Sequence, residues 1–241
     1  MRILLLLTLL GLAVWSVGGT LAELYKRVRK GKACESTEAK YQVFVSIGAQ
    51  WCGGSLISPK WVLTSKHCNN LNLKVYIGIR NRGTLDPSKA YTGVPHPHPG
   101  PGMDPDLMLI KLNKDAPAGS STVHLPTDCT NNRPPSDIQT TALLLAGWGE
   151  DENGNYPLQL QCVRLQGTTS LGQEEFCAGK ADEGTGEADS GGGLVHTGRN
   201  MVYGVVVSHC WLDPNGPSLR SQFVNVCHFL QWIQNEMNAH P

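Results

Sequence analysis

The chain has 241 residues, and its 20 Lys and Arg are balanced by 20 Asp and Glu, so the formal net charge is zero. This balance disfavours a nucleic-acid-binding surface or a polybasic membrane anchor, because both need excess positive charge. Charged residues make up 17% of the sequence and hydrophobic residues 40%, which is typical of a globular domain rather than a disordered chain. The 27 Gly and 15 Pro imply many turns and favour an all-β fold of short strands.

The first 19 residues have the pattern of a secretory signal peptide. Arg2 precedes an apolar stretch that extends to Val17, and the small pair Gly18-Gly19 follows it. The uninterrupted apolar run is shorter than the roughly 20 residues of a membrane span. We therefore expect a secreted, extracellular protein cleaved after Gly19, with cleavage after Ala22 as the alternative. In an oxidising space, disulfides become the default state of the eight cysteines.

Strand-like patterns recur along the chain after this segment. Apolar residues alternate with polar ones over residues 43–47 and 73–79, and short apolar runs occupy residues 107–112, 143–146 and 205–207. Turn-rich stretches separate them at residues 95–105 and 151–157. The C-terminus alone has helical periodicity, with Phe229, Leu230, Ile233 and Met237 on one face. The sequence therefore predicts one all-β domain, a barrel or double barrel, with a C-terminal helix.

One short motif, His96-Pro97-His98-Pro99, raises the question of a metal site. Two histidines in a Pro-rich loop are more typical of solvated turn residues than of metal ligands. We therefore expect no metal and no cofactor.

Three short segments supply the residues needed for nucleophilic acyl transfer. Residues 61–68 contain His67, residues 106–112 begin with Asp106, and residues 188–194 contain Ser190. A serine hydroxyl is a poor nucleophile until a neighbouring imidazole takes its proton. A carboxylate must hold that imidazole in the correct tautomer. Glycines beside the serine let the backbone turn sharply and direct N–H groups at a developing oxyanion.

In this order and with these flanks, the three segments resemble those of the chymotrypsin/trypsin-like serine proteases. The matching strings are His67-Cys68, the strand from Asp106 to Leu112, and Asp189-Ser190-Gly191-Gly192. The order His, Asp, Ser separates the chain from subtilisins and α/β-hydrolases, and the Gly-x-Ser-x-Gly elbow of an esterase or lipase is absent. The resemblance implies two six-stranded antiparallel barrels with a C-terminal helix and with the triad His67, Asp106 and Ser190 in the cleft between the barrels.

The resemblance also implies disulfide pairs. Three match pairs of the family: Cys34–Cys162, Cys52–Cys68 and Cys129–Cys227. Cys177 and Cys210 lack their usual partners, so they either form a non-standard bridge with each other or stay free.

Members of the family are secreted as zymogens, and the basic stretch after the signal offers a cleavage point between Arg27 and Val28. Residues 20–27 are then an activation propeptide and residues 28–241 the protease domain. The resemblance implies an ion pair between the freed Val28 ammonium and Asp189. A basic loop without processing is the alternative.

Several positions depart from the family pattern. Ala188 replaces the glycine whose N–H, together with that of Ser190, forms the oxyanion hole. In the specificity pocket, Gly184 stands where trypsins carry an Asp for Lys and Arg side chains. The other positions matched to the pocket are Ser208, Cys210 and Ser221. Such a pocket is expected to prefer small or medium uncharged side chains, because burying an unpaired cation is costly.

Two functions remain open from the sequence. The intact triad favours a secreted serine endopeptidase, whereas Ala188, His209 and Cys210 favour very narrow specificity or a weak or inactive protease-fold binding protein. The expected partners of the enzyme are a protein or peptide substrate, an activating protease and protein inhibitors. Neither nucleic acid nor a membrane is expected as a partner. The protein itself is expected to be a monomer.

Overall fold

The computed structural model describes residues 30–180, 183–211 and 219–241, so the predicted signal peptide, the propeptide and the Arg27-Val28 junction lie outside the described residues. The strands of the first half are β1 (Lys32–Ala33), β2 (Gln42–Ile47), β3 (Gln50–Ser58), β4 (Trp61–Thr64), β5 (Lys74–Ile77), β6 (Tyr91–Pro97) and β7 (Met108–Leu112). Those of the second half are β8 (Leu143–Gly147), β9 (Gln161–Leu165), β10 (Thr169–Ser170), β11 (Glu175–Ala178), β12 (Gly193–His196), β13 (Met201–Trp211) and β14 (Leu219–Asn225). One helix, α1 (Val226–Ala239), follows. Across these ranges, no helix has the length and apolar character needed to cross a membrane.

The first half forms a closed antiparallel barrel in the order β2-β3-β4-β7-β6-β5. Side chains alternate across each strand, since successive Cβ atoms point to opposite faces. Val43 and Val45 of β2 therefore point into the barrel core, while Phe44 between them packs into the apolar layer that lies between the two halves. The predicted alternation over residues 43–47 is confirmed.

The second half is an eight-stranded sheet in the order β1-β9-β8-β12-β13-β14-β11-β10. Its two edge strands, β1 and β10, have only two residues each, and the six strands between them are longer. Leu143 and Leu145 of β8 point into the core of this half, whereas Leu144 and Ala146 face the layer between the halves. The predicted all-β, trypsin-like architecture with a C-terminal helix is confirmed.

Helix α1 contains the four residues whose periodicity predicted a C-terminal helix. The Asn225 side chain accepts a hydrogen bond of 3.1 Å from the Cys227 N–H and so satisfies one of the free amides of the first turn. Phe229 and Ile233 are buried in the layer between the two halves, and Met237 packs against it.

Strand β6 differs from the prediction, which placed a turn-rich stretch at residues 95–105. The strand continues through Pro95, His96 and Pro97, which pair with β7 only. The pairing of β6 with β5 is confined to Tyr91 and Thr92. Because β6 has a free edge beyond Thr92, the missing N–H of each proline removes no hydrogen bond on that side. His96 therefore occupies a fixed place in a sheet.

Four disulfides cross-link the described residues, and they include the three pairs that the resemblance implied: Cys34–Cys162, Cys52–Cys68, Cys129–Cys227 and Cys177–Cys210. The fourth, which the sequence left open, joins β11 to β13 across β14. No free cysteine occurs among the described residues.

Candidate active site

His67 lies in a single turn of 3₁₀ helix, Lys66–Cys68, close after β4. The preceding Ser65 hydroxyl donates a 2.5 Å hydrogen bond to the carbonyl of Val206 in β13. Cys68 is bonded to Cys52 in β3. The turn that carries His67 is thus tied to both halves of the fold, which places the imidazole at the boundary between them.

Asp106 lies two residues before β7 and holds His67 through two contacts. Its Oδ1 accepts a hydrogen bond of 2.8 Å from the His67 main-chain N–H, and its Oδ2 lies 2.5 Å from His67 Nδ1. An ionised carboxylate in this position favours a proton on Nδ1 and leaves the lone pair of Nε2 free to accept another. The pair has the geometry of a general base with its orienting group.

Ser190 lies in a tight loop before β12 that packs closely on the first barrel. Its carbonyl accepts a 2.8 Å hydrogen bond from the Gly53 N–H, and the Gly191 N–H donates to Val206 over 2.8 Å. Gly191 has φ +80°, and a Cβ there would collide with the Thr64 hydroxyl. Glycine is required at this position because it reaches positive φ without strain and lets the loop approach the barrel.

Asp189, beside the serine, has no exposed surface. Its two carboxylate oxygens accept hydrogen bonds from the Gly149 N–H at 2.7 Å and the Gly186 N–H at 2.9 Å. Burial raises the pKa of this carboxyl to about 7, against the opposing effect of the two main-chain hydrogen bonds. No cationic group within the described ranges pairs with it, and Val28 lies outside them.

Ala188 has φ +68°, in the left-handed region. An alanine adopts this conformation at a cost of roughly 1–2 kcal/mol relative to the right-handed one. Neither the Ala188 N–H nor the Ser190 N–H donates a hydrogen bond to any residue that the structure describes. Both amides are therefore available to an oxygen atom placed in the cleft.

A cavity of about 560 Å³ connects these groups, with His67, Ala188, Ser190, Thr185 and Ser208 in its lining. Of the four positions matched to the specificity pocket, only Ser208 reaches this cavity, and no hydrogen bond joins it to Asp106. The other three, Gly184, Cys210 and Ser221, are buried and outside the lining.

The three buried positions are held by close packing, a hydrogen bond and a disulfide. Gly184 has φ +139°, and a Cβ there would collide with the hydroxyl oxygen of Ser221. The same oxygen accepts a hydrogen bond of 2.9 Å from the Thr185 N–H. Cys210 is held in the bridge to Cys177. Position 184 therefore has no room for an acidic side chain unless Ser221 shifts.

His209 lines the cavity beside Thr185. Its Nε2 lies 2.9 Å from the Thr185 carbonyl oxygen, and both residues line the cavity. Because the carbonyl can only accept, Nε2 carries the proton and donates. The imidazole thus bridges two segments, β13 and the loop before Ser190, that flank the cavity.

Sequence reasoning missed the aromatic wall at the other end of the cavity. Trp51 and Tyr156 both line it, with ring centroids 5.3 Å apart, and the Tyr156 hydroxyl donates to a Glu187 carboxylate oxygen at 3.1 Å. The position of Trp51 next to Cys52 was a usable signal, since that cysteine is bonded beside His67. No local pattern marks Tyr156, which lies in a turn-rich stretch.

His67, which is bonded to Asp106, and Ser190 line one cavity between the barrel and the second sheet. Serine endopeptidases have this arrangement. The Trypsin family model matches residues 28–233. Trypsin-3 of Salmo salar is 32% identical, over 87% of this chain and 92% of the relative. Anionic trypsin of Canis lupus familiaris is 30% identical over 99% of both chains. Trypsin of Xenopus laevis is also 30% identical, over 99% of this chain and 100% of the relative. The chain belongs to the trypsin family and is a serine endopeptidase.

Proposed function

We propose that the chain is a secreted endopeptidase that cleaves peptide bonds through the triad His67, Asp106 and Ser190. The observation that carries this proposal is the double contact of Asp106 with the main chain and side chain of His67, beside a cavity that Ser190 also lines. These contacts orient the imidazole before substrate binds, so little reorganisation is needed at the moment of reaction.

In this mechanism the Ser190 hydroxyl attacks the scissile carbonyl while His67 Nε2 takes its proton. Asp106 stabilises the imidazolium that forms and keeps the Nδ1 proton in place. The imidazolium then donates its proton to the leaving amine, and water releases the acyl group from Ser190 by the same route in reverse. No metal or cofactor takes part in these steps.

The oxyanion of the tetrahedral intermediate is assigned to the N–H groups of Ala188 and Ser190. Preorganised donors at this point matter because losing one costs roughly 10²–10³ in rate. The alanine keeps its N–H, and its φ of +68° is a conformation that glycine would also adopt freely. The replacement of glycine therefore costs strain and leaves a donor in place.

We assign activation to cleavage between Arg27 and Val28, which removes residues 1–19 as signal and 20–27 as propeptide and leaves 28–241. Support comes from Asp189, a wholly buried carboxyl that lacks a cation among the described residues. A buried unpaired carboxylate costs several kcal/mol. The α-ammonium of Val28 would offset this cost and hold the Ser190 loop.

For substrate preference we propose a small or medium uncharged side chain before the scissile bond. Gly184 supplies no charge for Lys or Arg, Ser221 fills the space behind it, and His209 narrows the entrance. Four disulfides suit an extracellular protein. The partners proposed are a protein or peptide substrate, an activating protease and protein inhibitors, with the enzyme acting as a monomer.

The test is covalent labelling with an organophosphonate, which reacts quickly only with an activated serine. The precursor needs an inserted recognition site for a protease that leaves Arg29 and Lys30 uncut, and N-terminal sequencing must show Val28 as the first residue. We expect labelling at Ser190 after the cut and none in the Ser190→Ala variant. The uncut Arg27→Gln chain is the matched control and should label far more slowly. Absence of labelling in the cut, disulfide-intact protein would contradict the proposal and favour an inactive binding protein.

A further inference from the structure

A second group of chemically capable side chains lies away from the cleft, where β6 meets α1. One nitrogen each of His96 and His240 and one oxygen of Glu236 lie within 4.8 Å of one another. His96 Nδ1 is 2.7 Å and His240 Nδ1 is 3.2 Å from the same oxygen, Glu236 Oε1. None of the three lines the catalytic cavity. We call these residues the β6–α1 cluster.

The structure separates the two histidines of the His96-Pro97-His98-Pro99 motif. The His98 ring packs against Phe229 and Trp232 of α1, with centroid distances of 5.3 and 4.9 Å. His98 therefore has a packing role. The His96 side chain is 13% exposed and faces Glu236. The expectation of two solvated turn residues is therefore wrong for both histidines, and the partner of His96, Glu236, lies 140 residues further along the chain.

Both supporting elements are rigid. His96 is paired with Leu109 in the sheet, and its ring packs edge-on against the buried Trp61 at 5.2 Å between centroids. Glu236 lies in the last turn of α1, and His240, the residue that follows the helix, has φ −130° but still places its Nδ1 3.2 Å from Glu236 Oε1. The cluster thus has two of its three members, His96 and Glu236, on regular secondary structure before any ligand binds.

We propose that the β6–α1 cluster binds a divalent zinc ion. Tetrahedral zinc takes two imidazole nitrogens and a carboxylate oxygen at about 2.0–2.2 Å, with water in the fourth position. Such ligand atoms lie roughly 3.3 Å apart, so the 3.2 Å contact already fits, whereas the 2.7 Å contact has to open by about 0.6 Å. Calcium and magnesium are poor candidates because they prefer oxygen ligands.

In the metal-free structure both Nδ1 atoms face Glu236 oxygens, which can only accept, so each Nδ1 carries a proton there. Each imidazole would bind zinc through Nδ1 as a neutral ring with its proton on Nε2, so zinc binding has to displace the Nδ1 protons. His240 Nδ1 also lies 3.1 Å from the main-chain oxygen of Glu236. That ring must turn away from the helix end to bind the ion, whereas His96 and Glu236 already face each other. The ion would join the end of α1, which follows directly from the second sheet, to β6 of the first barrel. The consequence is a metal-dependent stabilisation of the contact between the two halves.

The experiment is a titration of the purified full chain with Zn²⁺, followed by thermal unfolding and by calorimetry. We expect one ion per chain at this cluster and a Tm rise of roughly 5 °C at a Zn²⁺ concentration a hundredfold above Kd. Cobalt in place of zinc should give the visible absorption of a tetrahedral site. His96→Gln and Glu236→Gln should each weaken binding by at least about tenfold, and His240→Gln should do the same.

Two variants serve as matched controls. His98→Gln removes the other histidine of the motif and should keep the full zinc-induced shift, whatever it does to the starting Tm. His67→Gln removes the triad imidazole and should also keep it, which excludes binding at the catalytic pair. Absence of a zinc-dependent shift in the unmodified chain would overturn the proposal. So would unchanged zinc affinity in both His96→Gln and Glu236→Gln.

Discussion

The two sides of the cleft use their polar groups in different ways. On the catalytic side, Asp106 holds His67 from behind while His67 and Ser190 face the cavity. On the pocket side, polar groups bond to one another: His209 donates to the Thr185 carbonyl, and the Thr185 N–H donates to the Ser221 hydroxyl. His67 and Ser190 therefore face the cavity, while the polar groups around Thr185 are already hydrogen-bonded to one another. If the pocket side receives the substrate side chain, as we propose, the access of large side chains is restricted.

The largest effect is expected from substitutions of the catalytic residues Ser190 and His67. Ser190→Ala should lower kcat by on the order of 10⁶-fold, and His67→Ala should be about equally damaging, because triad members act as a unit. The double variant should be no worse than either single one. Single-turnover kinetics on a peptide that the cut enzyme hydrolyses would measure this. Additive losses in the double variant would show that the two residues do not act together.

The second-largest expected effect comes from the buried carboxyl of Asp189, the residue before Ser190. The pKa of Asp189 is about 7 in the folded chain and 3.8 in its ordinary state, so unfolding between these pH values releases a proton. Without a cation beside it, the stability contributed by the neutral carboxyl is present below pH 4 and is lost as pH rises through 7. The loss is at most about 4 kcal/mol in the free energy of unfolding.

The matched pair for this measurement is the uncut Arg27→Gln chain and the chain cut to expose Val28. In the cut chain the ammonium should lower the pKa of Asp189, so the stability that the ion pair contributes at neutral pH is lost as the pH falls and the carboxyl takes up a proton. The stabilisation should fade again above pH 8, as the ammonium, whose pKa is about 8 and raised by pairing, loses its proton. Urea unfolding at several pH values measures the difference between the two curves. Parallel curves would remove Asp189 from the activation switch.

The third-largest effect is expected from His209, which we propose limits the size of the substrate side chain. His209→Ala removes the ring that crosses to Thr185 and should open the cavity to larger uncharged side chains. We expect kcat/KM for peptides with Met or Phe before the scissile bond to rise about tenfold relative to those with Ala, in line with the value of a few methylenes in a pocket. His228→Ala, which removes a partly buried histidine outside the cavity lining, should leave the ratio unchanged. An unaltered ratio in His209→Ala would mean that the imidazole does not limit access.

The catalytic residues could be predicted from the sequence, whereas the contacts of the pocket side could not. His67, Asp106 and Ser190 sit in short strings that carry their own turns and strand starts, so local pattern and family resemblance locate them. The pocket side depends on contacts between distant positions, such as His209 with Thr185, 24 residues apart, and Thr185 with Ser221, 36 apart. The pairing of β13 with β14 is also irregular between Val206 and Ser208. Because of this shift, simple alternation along β13 does not predict which side chains lie beside the cavity. The partners of Cys177 and Cys210 stayed open for the same reason, because their bridge passes over a strand that neither belongs to.

The smallest expected effect concerns Ala188, whose N–H we assign to the oxyanion and whose left-handed backbone shapes the loop before Ser190. Ala188→Gly relieves about 1–2 kcal/mol of left-handed strain and adds back about 0.4–1 kcal/mol of unfolded-state entropy. The sign therefore favours the variant, and we expect an unfolding free energy higher by about 0.5–1 kcal/mol. Because the alanine already has φ +68°, the donor needs no reorientation, and kcat/KM should change by less than about threefold, well below the 10²–10³ that a lost donor costs. Parallel measurement of urea unfolding and of kcat/KM on the cut enzyme separates the two effects. A rate rise of a hundredfold or more would contradict this reading and show that the alanine had misdirected the donor.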